Sequence, residues 1–199
     1  MTTKPTFATP PTFLGLSRPA ADATLHIAGV PFDIGTTNRS GARFGPSAIR
    51  QASRMLVDGD HPHWWLDPAA LAVADIGDFN IALGDIAKSL SLIEEQAFAH
   101  EHLIALGGDH SISLPLLRAR VRKSKRPLAL VHFDAHVDTW PDNFGQAYAH
   151  GSVFFHAIEE KLVDPKRTVQ IGIRSPQRPS CGSTSRSPVI DDVIAQGSA

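Results

Sequence analysis

The 199-residue sequence predicts an α/β fold: a three-layer αβα domain around a mainly parallel sheet that stops short of completion at its C-terminal end. Three observations predict it. Short apolar runs alternate with stretches of helical periodicity across most of the chain, the pattern of βαβ units. The runs LAVADI, HLIAL and LALVHF are near-continuously apolar, as expected of strands buried on both faces of a parallel sheet. Polar clusters sit at the carboxyl ends of these runs, where such sheets bind ligands.

Each element follows in order. Residues 1–22 form an irregular arm, rich in Thr and Pro over Met1–Pro19. The αβα domain occupies residues 23–174. Its first strand is expected at Ala23–Pro31, followed by a long loop, Phe32–Gly45, with more glycine and polar punctuation than a plain connection needs. Pro46 opens a helix carrying Ile49, Ala52, Met55 and Leu56 at helical spacing. Asp58–Asp67 is a loop whose His61 and His63, flanked by Pro62 and two tryptophans, suit surface packing better than ligation. Leu71–Ile76 is a short strand. Asp85 is placed to cap the next helix, with Ile86, Leu90, Ile93 and Ala97 as its apolar stripe. His102–Leu106 is a strand running into Gly107-Gly108-Asp109-His110-Ser111, and a helix from near Pro115 to Val121 follows. Leu128–Phe133 is the next strand, a helix is expected from Ser152 to about Leu162, and Thr168–Ile173 makes the last strand. Residues 175–199 hold six Ser and three Pro and break the pattern, as expected of a disordered or non-native tail.

Composition excludes several classes of function. A formal net charge of −1 offers no basic stripe for nucleic acid or an anionic membrane. A single cysteine, Cys181, rules out an internal disulfide and thiolate-rich metal sites. No stretch approaches the roughly 20 apolar residues needed to span a bilayer, and no signal core is visible near Met1. A cytoplasmic location is therefore expected.

The chemistry concentrates in Val131–Asp138, VHFDAHVD. In an extended strand Asp134, His136 and Asp138 would share one face, with Phe133, Ala135 and Val137 opposite. A polar strand end would explain this pentapeptide by itself. Two carboxylates held so close raise each other's pKa unless a cation is present, and a divalent metal meets that need. His110, one βαβ step earlier, can swing in beside them because the paired glycines permit a sharp turn. Mixed oxygen and imidazole donors suit manganese, zinc or ferrous iron, and the carboxylate-rich set favours manganese. Asp carboxylates can also bridge two ions, and hydrolysis is the natural reaction class. Histidine is the side-chain type that exchanges protons near neutral pH, so His150, in a Gly-flanked turn, is a candidate to deliver a proton to an amine leaving group. His132 and His156 are expected to be structural.

GGDHS at Gly107–Ser111, FDAHVD at Phe133–Asp138, His150-Gly151-Ser152 and GVPFDIGTTNRSGARFGPSAIR at Gly29–Arg50 together resemble the arginase/agmatinase (ureohydrolase) family. The likeness, over Gly29–Ser175, is closest to its agmatinase/guanidinobutyrase branch. It implies an arginase-type fold, a homo-oligomer, a binuclear Mn2+ centre, and hydrolysis of a linear guanidino compound, agmatine or 4-guanidinobutanoate, to urea and an amine. Carried over by motif, His110, Asp134 and Asp138 hold one manganese. His136 holds the other, with Asp134 bridging. Asp138 also orients the hydroxide, His150 is the proton shuttle, and Asn143 contacts the far end of the substrate.

The chain departs from the family pattern after Ile173. The motif S-x-D-x-D-x-x-D-P, which completes both metal shells in the family, has no counterpart, and Asp191-Asp192 are adjacent rather than alternating. The expectation is a truncated or frameshifted product with an incomplete second metal site and an exposed sheet edge and apolar face. The alternative is a non-catalytic family remnant binding at most one metal.

Overall fold

A computed structural model describes residues 11–56 and 63–175; the histidine at 61 and the tail from 176 lie outside them. The strands are β1 (Leu25–Val30), β2 (Val73–Asp78), β3 (Leu103–Gly107), β4 (Leu128–Phe133) and β5 (Val163–Ile171). The helices are α1 (Gly45–Ser53), α2 (Ile86–Phe98), α3 (Ser113–Ser124) and α4 (Val153–Glu159). Among the described residues these five strands pair in parallel, in two sheets ordered β2-β1-β3 and β4-β5. No helix among the described residues is long and apolar enough to cross a membrane.

The alternation along β1 builds the layers. Ala28 and Val30 face one side, where they pack with Phe32, Ile93 of α2 and Ala119 of α3. Ile27 faces the other, against Leu16, Val73 and Leu106. Both faces of β1 are therefore dry, which explains why its sequence does not alternate in polarity. On the second side α1 is tied to β2 by Arg50. Its guanidinium, almost fully buried, bonds Asp75 at 2.8 and 2.9 Å, the Gly77 carbonyl at 3.0 Å, and Asp78. A third cluster joins α2, α3 and α4 to β5 through Leu90, Leu114, Phe154, Ile158 and Val163.

Several boundaries differ from the sequence expectation. α3 starts two residues before Pro115, whose missing N–H falls among first-turn donors that need no partner. It runs on to Ser124, where Lys125 adopts a left-handed φ of 58° and closes the helix. α4 ends at Glu159 rather than Leu162, because Lys161 turns left-handed at φ 56°. β5 begins at Val163, not Thr168, and includes Asp164-Pro165. Its register with β4 jumps from Leu128↔Val163 to Leu130↔Thr168, so Pro165 sits in the irregularity and owes the ladder no donor.

Among the described residues, no pairing joins β3 to β4. One face of β4-β5 is covered by α3 and α4. The other presents Val131, Phe133, Val169 and Ile171 to solvent, with Phe133 74% exposed.

Candidate metal centre

The carboxyl ends of β3 and β4 bring the polar groups together. β3 ends at Gly107-Gly108, and Gly108 takes φ 68°, with its backbone pressed against the Val30 and Phe32 carbonyls; a Cβ would collide with both. The next amide, Asp109 N, donates to Phe32 O at 2.7 Å and stitches this turn to the end of β1. The buried Asp109 carboxylate accepts from Gly35 N at 3.0 Å and Ser111 N at 2.8 Å, starting the 3-10 turn His110–Ile112. Burial pushes the Asp109 carboxyl above its usual range, against these hydrogen bonds and the nearby His150. His110 is thereby aimed across to β4.

There it meets two carboxylates. His110 Nδ1 lies 2.6 Å from Asp138 Oδ2 and 3.8 Å from Asp134 Oδ2. Asp134 N donates to Ile171 O at 3.0 Å, keeping the residue in step with β5. Its Oδ1 accepts from His136 N at 2.9 Å. Burial pushes the Asp134 carboxyl up, but the His136 amide and the imidazoles of His110 and His132 outweigh it and hold the group below its usual range. Asp138 adopts φ 51°, and its carbonyl accepts from Phe154 N at 2.9 Å, anchoring it to the first turn of α4.

The expected strand alternation of Asp134, His136 and Asp138 does not hold. β4 ends at Phe133, the chain bends at Ala135 and His136, and Asp138 is left-handed. Two carboxylates still converge, but through loop geometry. His136 turns outward: its side chain is 67% exposed, with Nδ1 3.5 Å from Asp134 Oδ1. The four donors within 4.8 Å of one another are those of His110, His132, Asp134 and Asp138. His132, read from the sequence as a core histidine, does pack edge-on against Phe154, with centroids 4.5 Å apart. It also stacks on His110 at 5.2 Å and brings Nε2 within 3.4 Å of Asp134 Oδ2. Burial, then the neighbouring His110, lowers its pKa against the pull of Asp134 and Asp138. The i, i+2 relation of His132 to Asp134 was the available signal, one step earlier in the strand than the motif itself.

His150 opens the 3-10 turn His150–Ser152 ahead of α4. Its backbone N donates to Gly35 O at 3.1 Å, and its Nε2 lies 3.1 Å from Thr37 Oγ1, so it docks on the loop after β1. Asn143 sits in a turn closed by reciprocal backbone bonds with Gln146 at 3.0 Å. Its side chain lies against Gly151, and its Oδ1 is buried with no partner. His156 bonds Ala147 O at 2.8 Å, away from the cluster. A cavity of about 420 Å³, lined by Leu25, His100, Leu103 and Lys123 among others, lies near the amino ends of β1 and β3, remote from these groups.

Residues 23–188 match the family model described as "Arginase family". The chain belongs to the arginase family. It is 42% identical over 164 residues to the agmatinase of Chromobacterium violaceum, covering 80% of this chain and 51% of that protein. It is 45% identical over 177 residues to the guanidinopropionase of Pseudomonas aeruginosa, covering 85% and 55%. Among solved structures, a hypothetical agmatinase from Burkholderia thailandensis superposes with a TM-score of 0.78 at 40% identity, over 87% of this chain and 57% of that one. Proclavaminate amidino hydrolase from Streptomyces clavuligerus gives 0.78 at 37% identity, over 89% and 61%. The chain thus spans about half to three-fifths of the length of these relatives. The parallel α/β architecture is the arginase fold over that span.

Proposed function

We propose that this chain carries the metal-binding half of a ureohydrolase site, built to hydrolyse a linear guanidino compound such as agmatine or 4-guanidinobutanoate to urea and an amine. The observation that carries this reading is the convergence of His110, Asp134 and Asp138 at the carboxyl ends of two parallel strands in an arginase-family chain. Relatives named agmatinase and guanidinopropionase support the substrate class.

The donor set fits a divalent ion. Two carboxylates and an imidazole lie within one coordination sphere's reach, with a partly exposed approach and no thiolate, a set that favours Mn2+ over softer ions. His110, Asp134 and Asp138 would hold the first ion; His136, beside Asp134 and exposed, is the donor for a second, which the described residues serve poorly. Such an ion supplies Lewis acidity, letting water attack a guanidino carbon near neutral pH. The rest belongs to the side chains. Asp138, fixed by α4, orients the attacking water through its carboxylate. His150, docked on Gly35 and Thr37, delivers the proton that the departing amine takes up. Asn143, whose side chain lies against Gly151, is assigned to the far end of the substrate. The protein is expected to associate with copies of itself.

A second reading is favoured by one observation, the outward turn of His136, whose side chain is 67% exposed: a chain that binds one ion and turns over little. Purified protein should be loaded with Mn2+ and assayed for urea release from agmatine, 4-guanidinobutanoate and arginine, with metal counted per chain. We expect about one tightly held Mn2+ and weak urea release. Two tightly held ions with robust turnover would overturn the expectation of an incomplete second site, and no bound metal would overturn the ureohydrolase reading of this chain.

A further inference from the structure

We infer that His132 is a positioning residue that donates its Nε2–H to the Asp134 carboxylate, and that Gln170 fixes it in this tautomer, so that His132 is not itself a metal ligand. Its consequence for the metal rests on the function proposed above; the tautomer does not.

His132 and Gln170 are register partners across β4-β5, on the same face of the sheet, and each is only 7% exposed. The Gln170 amide nitrogen lies 3.1 Å from the Val137 carbonyl oxygen. A carbonyl can only accept, so the group facing it is the NH2, and the amide orientation is set by that partner. The same nitrogen lies 3.1 Å from His132 Nδ1. With both Gln170 hydrogens directed outward as donors, Nδ1 must accept. A ring that accepts at Nδ1 carries its hydrogen on Nε2.

That hydrogen faces the Asp134 carboxylate. His132 Nε2 is buried and makes no hydrogen bond within ordinary limits; the acceptor it faces is Asp134 Oδ2 at 3.4 Å. A buried N–H without a partner is costly, so a small movement of the carboxylate toward the ring is favoured. An Nε2 that carries hydrogen has no lone pair for a metal. His132 therefore leaves the four-donor group, and the ligands shrink to His110, Asp134 and Asp138. What His132 does instead is orient one oxygen of Asp134 while the His136 amide holds the other. Gln170 acts on both arms of the site, because its second hydrogen bond pins the Val137 carbonyl, one residue before Asp138. Ligand carboxylates held by such outer partners bind metal more tightly than free ones.

Long-range 15N–1H NMR on the metal-free, full-length chain reads the tautomer without any substitution. Hydrogen on Nε2 of His132 is expected, and hydrogen on Nδ1 overturns the inference. Mn2+ titrations of the wild type, His132→Gln, His132→Leu and Gln170→Leu then test the positioning role. Glutamine places an amide N–H where Nε2 sits, so H132Q should bind Mn2+ within a few-fold of wild type, whereas H132L and Q170L should bind it roughly 10–100-fold more weakly. An equal, large loss in H132Q and H132L would make His132 a ligand and overturn the inference. A wild-type chain that binds no Mn2+ would sink the metal centre and the positioning role together, even with hydrogen found on Nε2.

Discussion

Asp33 shows how a residue remote from the metal ligands shapes the site. It follows β1, is almost completely buried, and accepts from the Gly41 amide at 2.7 Å and from Arg43 Nε at 2.7 Å. The hydrogen bond from Arg43, against the cost of burial, lowers its pKa from 3.8 to about 2. These bonds hold the loop whose Gly35 and Thr37 receive His150. A carboxyl with a folded-state pKa below its unfolded value stabilises the fold above the unfolded pKa and loses that contribution as pH falls through the folded one. For Asp33 the loss runs from about pH 4 down to about pH 2. With the half-exposed Arg43 screened by solvent, its size is on the order of 1–2 kcal/mol. Asp33→Asn should lower unfolding stability by that amount at pH 7 and flatten the acid limb of a urea-denaturation series. An unchanged acid limb would show that Asp33 is not the group responsible. The sequence displayed Asp33 and Arg43 as loop polarity only, because the hydrogen-bond partner of a loop carboxylate depends on how the loop folds back.

At the scale of elements, what was legible is what periodicity and local capping determine. Asp85 was expected to cap α2, and its side chain accepts from Lys88 N at 2.8 Å. The apolar run of β4 was placed to the residue, but the burial expected on both its faces does not hold: Val131 and Phe133 are 63% and 74% exposed. The failures arose where long-range pairing overrides local pattern. Asp164-Pro165 reads as a stop, yet β5 passes through it because its ladder skips those residues. The Asp134–Asp138 segment reads as strand, yet Asp138 is turned left-handed with its carbonyl on α4. The convergence of His110 with Asp134 and Asp138 survived that error because all three lie within five residues of the carboxyl end of β3 or β4. The Asp85 cap offers a control for the site variants. Asp85→Ala should cost about 1 kcal/mol of stability by removing one satisfied amide at the helix start. Its Mn2+ affinity should equal wild type; a parallel loss of affinity would mean that metal binding simply tracks global stability.

At the scale of the whole molecule, the sequence could order the strands along the chain but not across the sheet. Succession alone puts β4 beside β3, whereas no pairing joins them among the described residues. An apolar face was expected without a location, and LALVHF was expected to be buried on both sides; the open face of β4-β5 follows from strand parity, since His132, Thr168 and Gln170 point toward the helices and site and Val131, Phe133, Val169 and Ile171 point away. Val131 and Val169 are direct cross-strand partners, 63% and 48% exposed. A contiguous apolar face of this kind drives association when nothing covers it. Sedimentation velocity over a range of concentrations should therefore show self-association of the wild-type chain. The double substitution Val131→Glu with Val169→Lys keeps an attractive cross-strand pair while making the face polar. It should shift the sedimentation toward monomer and leave Mn2+ affinity unchanged, because both side chains lie opposite Asp134 and His132. Undiminished association in the double variant would place the contact surface elsewhere on the molecule.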